Sequence, residues 1–253
     1  MSSNRAQVHL VGGGADCPNA KELVAPFAGE ATRHAARYER RPRLALVMVD
    51  DDGSADRYRS AYSDALDAHV LHGFEYTVIR VRTNTSIDPA VFGSVDGIVV
   101  AGGPTVRYHA CLMPVADAVR AAVDDLVPYL GFSAGAMIAA SSALIGGWCD
   151  EGRVVCDEDW SEGLDELSFA TGLGLVDFTV DVHAVQGGLL GRALAASLRP
   201  ECQRIAAIDE GTVLSVAAGS ATATQSCVSG DGHVWWAEET ATGFISTSLL
   251  RSY

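Results

Sequence analysis

The sequence has few positive charges and no apolar run long enough to cross a bilayer. Lys and Arg number 18 against 32 Asp and Glu, which gives a formal net charge of −14 at pH 7. Such an acidic surface repels the phosphates of nucleic acids and anionic lipids, so we expect neither as a partner. Residues 1–7 are polar and lack the apolar core of a signal peptide. We therefore expect a cytoplasmic protein.

Closely spaced cysteine pairs are also missing. The six cysteines are scattered, and none forms a Cys-x-x-Cys motif. Metal ribbons and redox motifs need that spacing to bring two sulfurs to one centre. We therefore predict neither a metal ribbon nor a redox motif, and reduced thiols that mostly pack as small apolar side chains.

Short β-branched runs alternate with helix-like segments over the first half of the chain. Predicted strands lie at residues 8–11, 44–49, 76–81, 97–101 and 127–132, and predicted helices include 55–68 and 113–125. Apolar strands joined by amphipathic helices are typical of a parallel sheet covered on both faces. The sequence predicts one α/β domain over residues 1–253, built on an open, doubly wound, mostly parallel sheet flanked by helices.

The last third of the chain has a different pattern. Short predicted strands at 204–208, 213–217, 225–229 and 234–237 are separated by turn residues. Closely spaced strands of this kind predict antiparallel C-terminal hairpins appended to the main sheet. Residues 146–167 are acidic and rich in Trp and Cys, and we expect a long excursion near the functional site.

The sharpest local signal is GFSAG at 131–135, between an apolar run and a strong helix-forming segment. G-x-S-x-G at a strand-to-helix turn is typical of a nucleophile elbow, in which the flanking glycines allow a sharp turn that exposes the serine hydroxyl. Backbone N–H groups at the start of the helix can stabilise an oxyanion. Ser133 is therefore the candidate nucleophile, with a plain strand–helix turn as the structural alternative.

A serine hydroxyl needs a base within hydrogen-bond reach. Of the seven histidines, His183 follows a strand-like run and precedes a glycine-rich segment. That position is a strand end, where α/β sheets assemble their sites. A second glycine turn, AGGPT at 101–105, is either another oxyanion donor or a tight βα loop. The glycines at 12–14 lack the spacing of a nucleotide-binding loop, which argues against a nucleotide cofactor.

Four segments, in this order, resemble the peptidase E–cyanophycinase family. They are GGPT at 102–105, the elbow at Ser133, DVH at 181–183 and IDEGT at 208–212. The order of serine, histidine and acid also differs from the serine, acid, histidine order of α/β-hydrolases. The resemblance implies a fold like that of class I glutamine amidotransferases, with serine in place of the cysteine nucleophile.

The resemblance also implies a catalytic triad of Ser133, His183 and Glu210. An acidic residue before a glycine can equally be part of a turn, so the acid is the open position. Asp150 and Glu151, downstream of the elbow, are the alternatives.

The remaining site residues follow from the same resemblance. Gly103 and Ala134 would supply the oxyanion hole through their backbone N–H groups. Gly102, Asp181 and Arg192 would contact the substrate, a small peptide or amide. The resemblance implies no metal or organic cofactor.

Some positions depart from the family's pattern. In cyanophycinases a Gln precedes the histidine and arginines follow it, whereas this chain has Val182, Gly187 and Leu189 there and keeps only Arg192. Losing two guanidiniums removes bidentate contacts to substrate carboxylates, which argues against activity on cyanophycin itself. Pro104 replaces an Asn of the first glycine turn and removes a backbone donor.

The acidic run DDD at 50–52 is either a solvated loop or, if it faces the site, a feature that favours a cationic substrate. Three functions stay open at this point. The first is a hydrolase of small aspartyl, isoaspartyl or related amides. The second is a repurposed acyl-transfer enzyme of a specialised biosynthetic pathway, and the third is a non-catalytic relative that binds a small ligand. A homodimer is a further expectation.

Overall fold

The computed structural model describes residues 5–51, 53, 55–83, 86–222, 226–240 and 245–251. In chain order the strands are β1 (Gln7–Val11), β2 (Arg43–Val49), β3 (Glu75–Val81), β4 (Gly97–Val100), β5 (Tyr129–Phe132), β6 (Ser142–Gly146), β7 (Cys149–Asp150), β8 (Arg153–Val154), β9 (Ser168–Thr171), β10 (Thr179–Val182), β11 (Arg204–Ile208), β12 (Thr212–Ala217), β13 (Cys227–Gly230), β14 (His233–Glu239) and β15 (Ile245–Arg251). The α-helices are α1 (Ala20–Ala36), α2 (Ala55–Asp67), α3 (Thr105–Leu112), α4 (Ala116–Asp124), α5 (Ala134–Met137) and α6 (Leu190–Ala196).

A seven-stranded sheet in the order β13-β12-β1-β5-β4-β2-β3 forms the centre of the fold. Strands β1 to β5 run parallel, whereas β12 pairs antiparallel with β1 and β13 antiparallel with β12. The carboxyl ends of β1, β5 and β4 therefore lie side by side at one edge, which is where open α/β sheets bind ligands. The predicted α/β class with a mostly parallel sheet is confirmed.

The central strands are apolar because both faces of the sheet are covered. Every residue of β4 and β5 is buried, and α1 packs on β1, β2, β4 and β5. A connected cluster of buried apolar side chains includes residues of both the first and the last third of the chain. One domain over residues 1–253 stays a prediction that this shared core supports.

The predicted C-terminal hairpins divide between two sheets. Strands β12 and β13 extend the main sheet, but β11, β14 and β15 combine with β10 in a separate four-stranded sheet in the order β10-β11-β14-β15. The predicted antiparallel C-terminal hairpins are confirmed, but the prediction that they join the main sheet is wrong for β11 and β14. Strand β15 was not predicted. Strand spacing specifies a hairpin but not the sheet edge on which it pairs. The first residue of the predicted strand 225–229 lies outside the described residues, and β13 begins at Cys227.

The pairing of β10 with β11 is parallel, with Val182 opposite Ile208. The residues that follow the two strands, His183 and Asp209-Glu210, therefore emerge next to each other at the same edge. The second sheet thus brings together two chain segments that the sequence separates by more than twenty positions.

The excursion at 146–167 contains β7, β8 and a 3-10 turn at Glu158–Trp160. Backbone hydrogen bonds join Gly147 to Ser161 and Val155 to Trp148, which fold the segment back on itself. The six cysteines are free, and three of them are buried. Among the described residues, no helix combines the length and apolar character needed to cross a membrane.

Candidate active site

Ser133 occupies the sharp turn between β5 and α5, with φ 48° and ψ −111°. Its N–H donates to the Val11 carbonyl at 3.0 Å, which fastens the turn to the neighbouring strand β1. A Cβ on Gly131 would lie 2.4 Å from the Gly135 oxygen, and a Cβ on Gly135 would lie 2.4 Å from the Val100 oxygen. Only glycine fits at both positions, so the elbow predicted from GFSAG has a steric cause.

Three side chains form a hydrogen-bonded series at this edge of the sheet. The Ser133 Oγ lies 2.9 Å from Nε2 of His183, and Nδ1 of the same ring lies 2.7 Å from Oε1 of Glu210. With its proton on Nδ1, the imidazole donates to the carboxylate and accepts from the serine hydroxyl. This is the arrangement that lets a histidine act as general base towards a serine.

Backbone contacts hold the base and the acid in place. The His183 N–H donates to the Gly12 carbonyl at 2.9 Å, and the Glu210 N–H donates to Oε1 of Gln186 at 3.0 Å. Two glycines of the segment 12–14, considered above only as a nucleotide loop, therefore lie beside the candidate base and acid: Gly12 contacts His183, and Gly13 faces Glu210. Their role could not be read from the sequence, because it depends on contacts with residues some 170 positions away.

The alternative acids lie elsewhere. Asp150 and Glu151 both pair with Nη1 of Arg199, at 3.3 and 3.4 Å. Only Glu210, among these three carboxylates, contacts the ring of His183.

Two backbone N–H groups next to Ser133 have no partner among the described residues. They belong to Gly103, after β4, and to Ala134, the first residue of α5. Both were predicted as oxyanion donors. The structure brings the glycine turn and the elbow together, since a Cβ on Gly102 would lie 3.3 Å from the Ser133 Cβ.

Of the three predicted substrate contacts, only Gly102 lines the cleft. Arg192 and Asp181 are 2% and 0% exposed and form a two-pronged ion pair, with Nη2 to Oδ1 at 2.6 Å and Nε to Oδ2 at 3.0 Å. Side chains without accessible surface cannot touch a ligand, so the predicted substrate contact of this pair is replaced by a structural one. Arg192 Nη1 also donates to the Trp160 carbonyl at 2.8 Å and so fastens the excursion.

Trp160 is a site residue that sequence reasoning missed. Its ring lies against the His183 imidazole, with centroids 4.9 Å apart and planes inclined by 36°. This contact limits the rotation of the imidazole about its side-chain bonds. The only signal in the sequence was the tryptophan content of the excursion, which does not say where that segment folds.

The cleft above Ser133 has a volume of about 800 Å³ and an acidic, aromatic lining. None of the described residues that line it is Lys or Arg. The carboxylates and aromatic rings of the lining are those of Asp16, Asp51, Asp159, Glu162, Tyr58, Tyr62, Tyr108 and Trp160.

The four carboxylates differ in how far they are neutralised. Asp51 pairs with Arg107 at 2.7 Å, and Glu162 accepts the N–H and hydroxyl of Thr105 at 3.1 and 2.9 Å. Asp16 and Asp159 form no ion pair with any described residue. The predicted acidic run at 50–52 therefore reaches the cleft through Asp51.

The other described member of that run points inwards. Asp50 is buried and bonded to Arg82, which holds the pKa of its carboxyl below the ordinary aspartate range. Asp52 lies outside the described residues. Over the described part of the chain, no group of three or more His, Cys, Asp or Glu side chains is arranged to hold a metal ion.

An α/β fold with a serine at a strand-to-helix elbow and a histidine beside it is typical of serine hydrolases. The sequence matches the family model of Peptidase family S51 over residues 45–224, and the chain therefore belongs to that family. It is a serine peptidase, and the predicted relationship to the peptidase E–cyanophycinase group is confirmed. No curated protein sequence matches the chain.

Solved structures share the fold at low sequence identity. A peptidase from an acI-B1 Actinobacterium is similar with a TM-score of 0.71 and 16% identity, over 98% of this chain and 95% of that one. A candidate peptidase E protein from Listeria monocytogenes EGD-e is similar with a TM-score of 0.57 and 14% identity, over 90% of this chain and all of the other.

Proposed function

We propose that the protein hydrolyses an amide bond of a small peptide or related substrate through a Ser133–His183–Glu210 triad and an acyl-enzyme. The observation that carries the proposal is the unbroken series of contacts at 2.9 and 2.7 Å that links the three side chains, of which Ser133 and His183 line the cleft. Aspartyl and isoaspartyl amides are the substrates that the family relationship suggests first.

The residues divide the chemistry as in other serine hydrolases. His183 accepts the Ser133 proton as Oγ attacks the substrate carbonyl carbon, and the Glu210 carboxylate orients the imidazole and stabilises its charged form. The C–N bond then breaks, and His183 returns the proton to the departing amine. Water attacks the resulting ester with His183 as base, which releases the acid and restores the serine.

The negative charge on the tetrahedral oxygen needs donors that are already in position. We assign this role to the N–H groups of Gly103 and Ala134, which are unpaired among the described residues and border Ser133. Preorganised donors of this kind contribute about 2.7–4 kcal/mol each to transition-state stabilisation.

The lining of the cleft favours a second substrate class within the same chemistry. A substrate carboxylate would meet Asp16 and Asp159, which have no ion pair among the described residues, and no basic side chain of the lining. An ammonium or guanidinium group would be attracted by these carboxylates and by the ring of Trp160. Amides that carry a cationic group are therefore the second candidate.

The first experiment compares α- and β-linked aspartyl dipeptides with matched dipeptides that carry Lys or Arg in place of Asp, for wild type and Ser133→Ala. Cleavage that disappears in the variant supports the serine mechanism, and the preferred peptide identifies the substrate class. Labelling of wild type, but not of the variant, by a fluorophosphonate probe tests the nucleophile independently of substrate choice.

The substrate preference has its own control. Asp16→Asn lowers kcat/KM for the cationic peptides and leaves that for neutral peptides unchanged if this carboxylate binds the cation. Transfer of the acyl group to an added amine favours the repurposed enzyme, and a folded protein that no serine-directed probe labels favours a binding role. A cytoplasmic location and a homodimer stay predictions.

A further inference from the structure

Two tyrosine hydroxyls hold Gly102 from its two sides. The Gly102 N–H donates to the Tyr62 hydroxyl at 3.1 Å, and the Tyr108 hydroxyl donates to the Gly102 carbonyl at 3.1 Å. The Val49 N–H donates to the Tyr108 oxygen at 3.0 Å. We call Tyr62, Gly102 and Tyr108 the tyrosine clamp.

The direction of the Tyr108 hydroxyl hydrogen follows from these contacts. Since its oxygen accepts the Val49 N–H, the single hydroxyl proton is left for the Gly102 carbonyl. Burial raises the pKa of both clamp tyrosines, so their hydroxyls stay protonated at any pH at which a serine hydrolase works.

The carbonyl of Gly102 and the N–H of Gly103 belong to the same peptide group. In a planar trans peptide these two bonds point in opposite directions. A hydrogen bond that fixes the carbonyl therefore fixes the direction of the N–H. The Gly103 N–H has no partner among the described residues, so within that part of the chain the Tyr108 hydroxyl supplies the polar contact that orients this peptide.

The backbone at this turn needs such a restraint because glycine can adopt many conformations. Gly103 has φ 145°, and a Cβ there would lie 3.3 Å from Cε2 of Tyr108. The Tyr108 ring is fully buried and cannot move aside. Ring and hydroxyl together therefore restrict the orientation of this peptide.

We propose that Tyr108 is a positioning residue of the oxyanion hole, whose hydroxyl turns the Gly102–Gly103 peptide so that the Gly103 N–H faces the reacting carbonyl at Ser133. The inference rests on the proposed function and deepens it. The turn lies close enough to Ser133 for this role. A Cβ built on Gly102 would lie 3.3 Å from the Ser133 Cβ and 3.7 Å from the Tyr62 hydroxyl oxygen.

The test uses Tyr108→Phe, which removes the hydroxyl and keeps the ring. Tyr76→Phe is the matched control, because Tyr76 lies on the edge strand β3 and its hydroxyl bonds only to Asp67 among the described residues, at 2.9 Å. The readout is the reaction of Ser133 with a fluorophosphonate, which builds negative charge in the oxyanion hole and needs no knowledge of the substrate.

We expect the rate constant for phosphonylation to fall by about 10- to 100-fold in Tyr108→Phe, less than the loss of a whole oxyanion donor, with the initial reversible affinity changed less than about threefold. Tyr76→Phe should react within about twofold of wild type. Replacement of Tyr108 by 3-fluorotyrosine, which keeps a hydroxyl, should restore most of the rate. A Tyr108→Phe protein that is folded and reacts at the wild-type rate overturns the inference.

A measurement on wild type covers the case in which Tyr108→Phe does not fold. The ¹⁵N–¹H signal of Gly103 should move downfield on phosphonylation of Ser133, as its N–H gains the polarised phosphoryl oxygen as acceptor, and an unmoved signal overturns the inference. Failure of the proposed function gives a different result, since wild type would then not be labelled at Ser133 at all.

Discussion

Ser133 and His183 both hold a positive φ, of 48° and 52°, and their side chains meet with Oγ 2.9 Å from Nε2. Residues other than glycine pay about 1–3 kcal/mol for such sparsely populated conformations. Each follows the carboxyl end of a buried strand, and the unusual backbone angle turns its side chain across the sheet edge. Backbone strain at these two residues is therefore the cost of bringing Ser133 and His183 together.

Glycine at position 133 should relieve that strain. We expect Ser133→Gly to unfold with a free energy about 1 kcal/mol higher than Ser133→Ala, since both lack the hydroxyl and differ only in the Cβ. Urea denaturation measures the difference. Ala121→Gly is the control, because Ala121 lies on an exposed face of α4 in ordinary helical conformation. This change should lower the free energy of unfolding by up to about 1 kcal/mol. Equal stability of the two Ser133 variants would argue against stored strain.

Removing the charge of the orienting acid should impair turnover far more than folding. We expect Glu210→Gln to lower kcat by about 100- to 1,000-fold, at the lower end for triad acids because this side chain is 45% exposed and water can partly replace it. Glu151→Gln, which changes one of the two alternative acids, should keep kcat within about twofold of wild type. Steady-state kinetics on any cleaved peptide measures kcat for both variants. Equal losses of kcat would contradict the assignment of Glu210 as the orienting acid.

The buried pair of Arg192 and Asp181 should matter for stability. Arg192→Met leaves a buried carboxylate without its partner, and we expect a loss of about 3–5 kcal/mol in the free energy of unfolding. The double variant Arg192→Met with Asp181→Leu should recover much of that loss. Arg199→Met, which removes a partly exposed ion pair, should cost under about 1 kcal/mol. A double variant as unstable as the single one would contradict this account.

Acid should weaken the fold partly through Asp50. Arg82 first, and then the Ala55 N–H, hold the pKa of this carboxyl below its ordinary range, so the folded state favours the ionised form. Such a group stabilises the protein above the pKa of its unfolded form, and the contribution disappears as the pH falls through the folded-state pKa.

The difference in unfolding free energy between wild type and Asp50→Asn should therefore shrink as the pH is lowered from neutrality to below the ordinary aspartate range. Chemical denaturation at a series of pH values measures it. Asp64→Asn, on the exposed face of α2, is the control and should show no comparable trend. A difference that stays constant with pH would contradict the linkage.

Several features of the fold were predictable because they depend on neighbours in the chain. The strands of the parallel sheet lie within two residues of their predicted bounds, since continuous apolar runs ended by glycine or aspartate carry their own signal. The sheet edge on which β11, β14 and β15 pair was not predictable. Alternation and turn residues are the same whichever edge a hairpin joins.

The candidate nucleophile and the glycine turn were likewise predictable from short motifs, because local steric limits require small residues there. Trp160 and Tyr108 were not, because neither belongs to a motif and each acts through a contact across the fold. The sequence shows an arginine at position 192 but does not indicate that its side chain is buried. Its partner, eleven positions earlier, is brought to it only by the packing of α6 against the second sheet.

The sequence alone determined the α/β class, the serine elbow, the candidate histidine and the family, because these follow from local sterics and from residue types at short spacing. Tertiary structure decided which acid contacts the imidazole, that Arg192 is structural, and that two tyrosine hydroxyls hold the glycine turn. Those outcomes depend on strand order and on which loops share the carboxyl edge of the sheets, and no local pattern of residues encodes that arrangement.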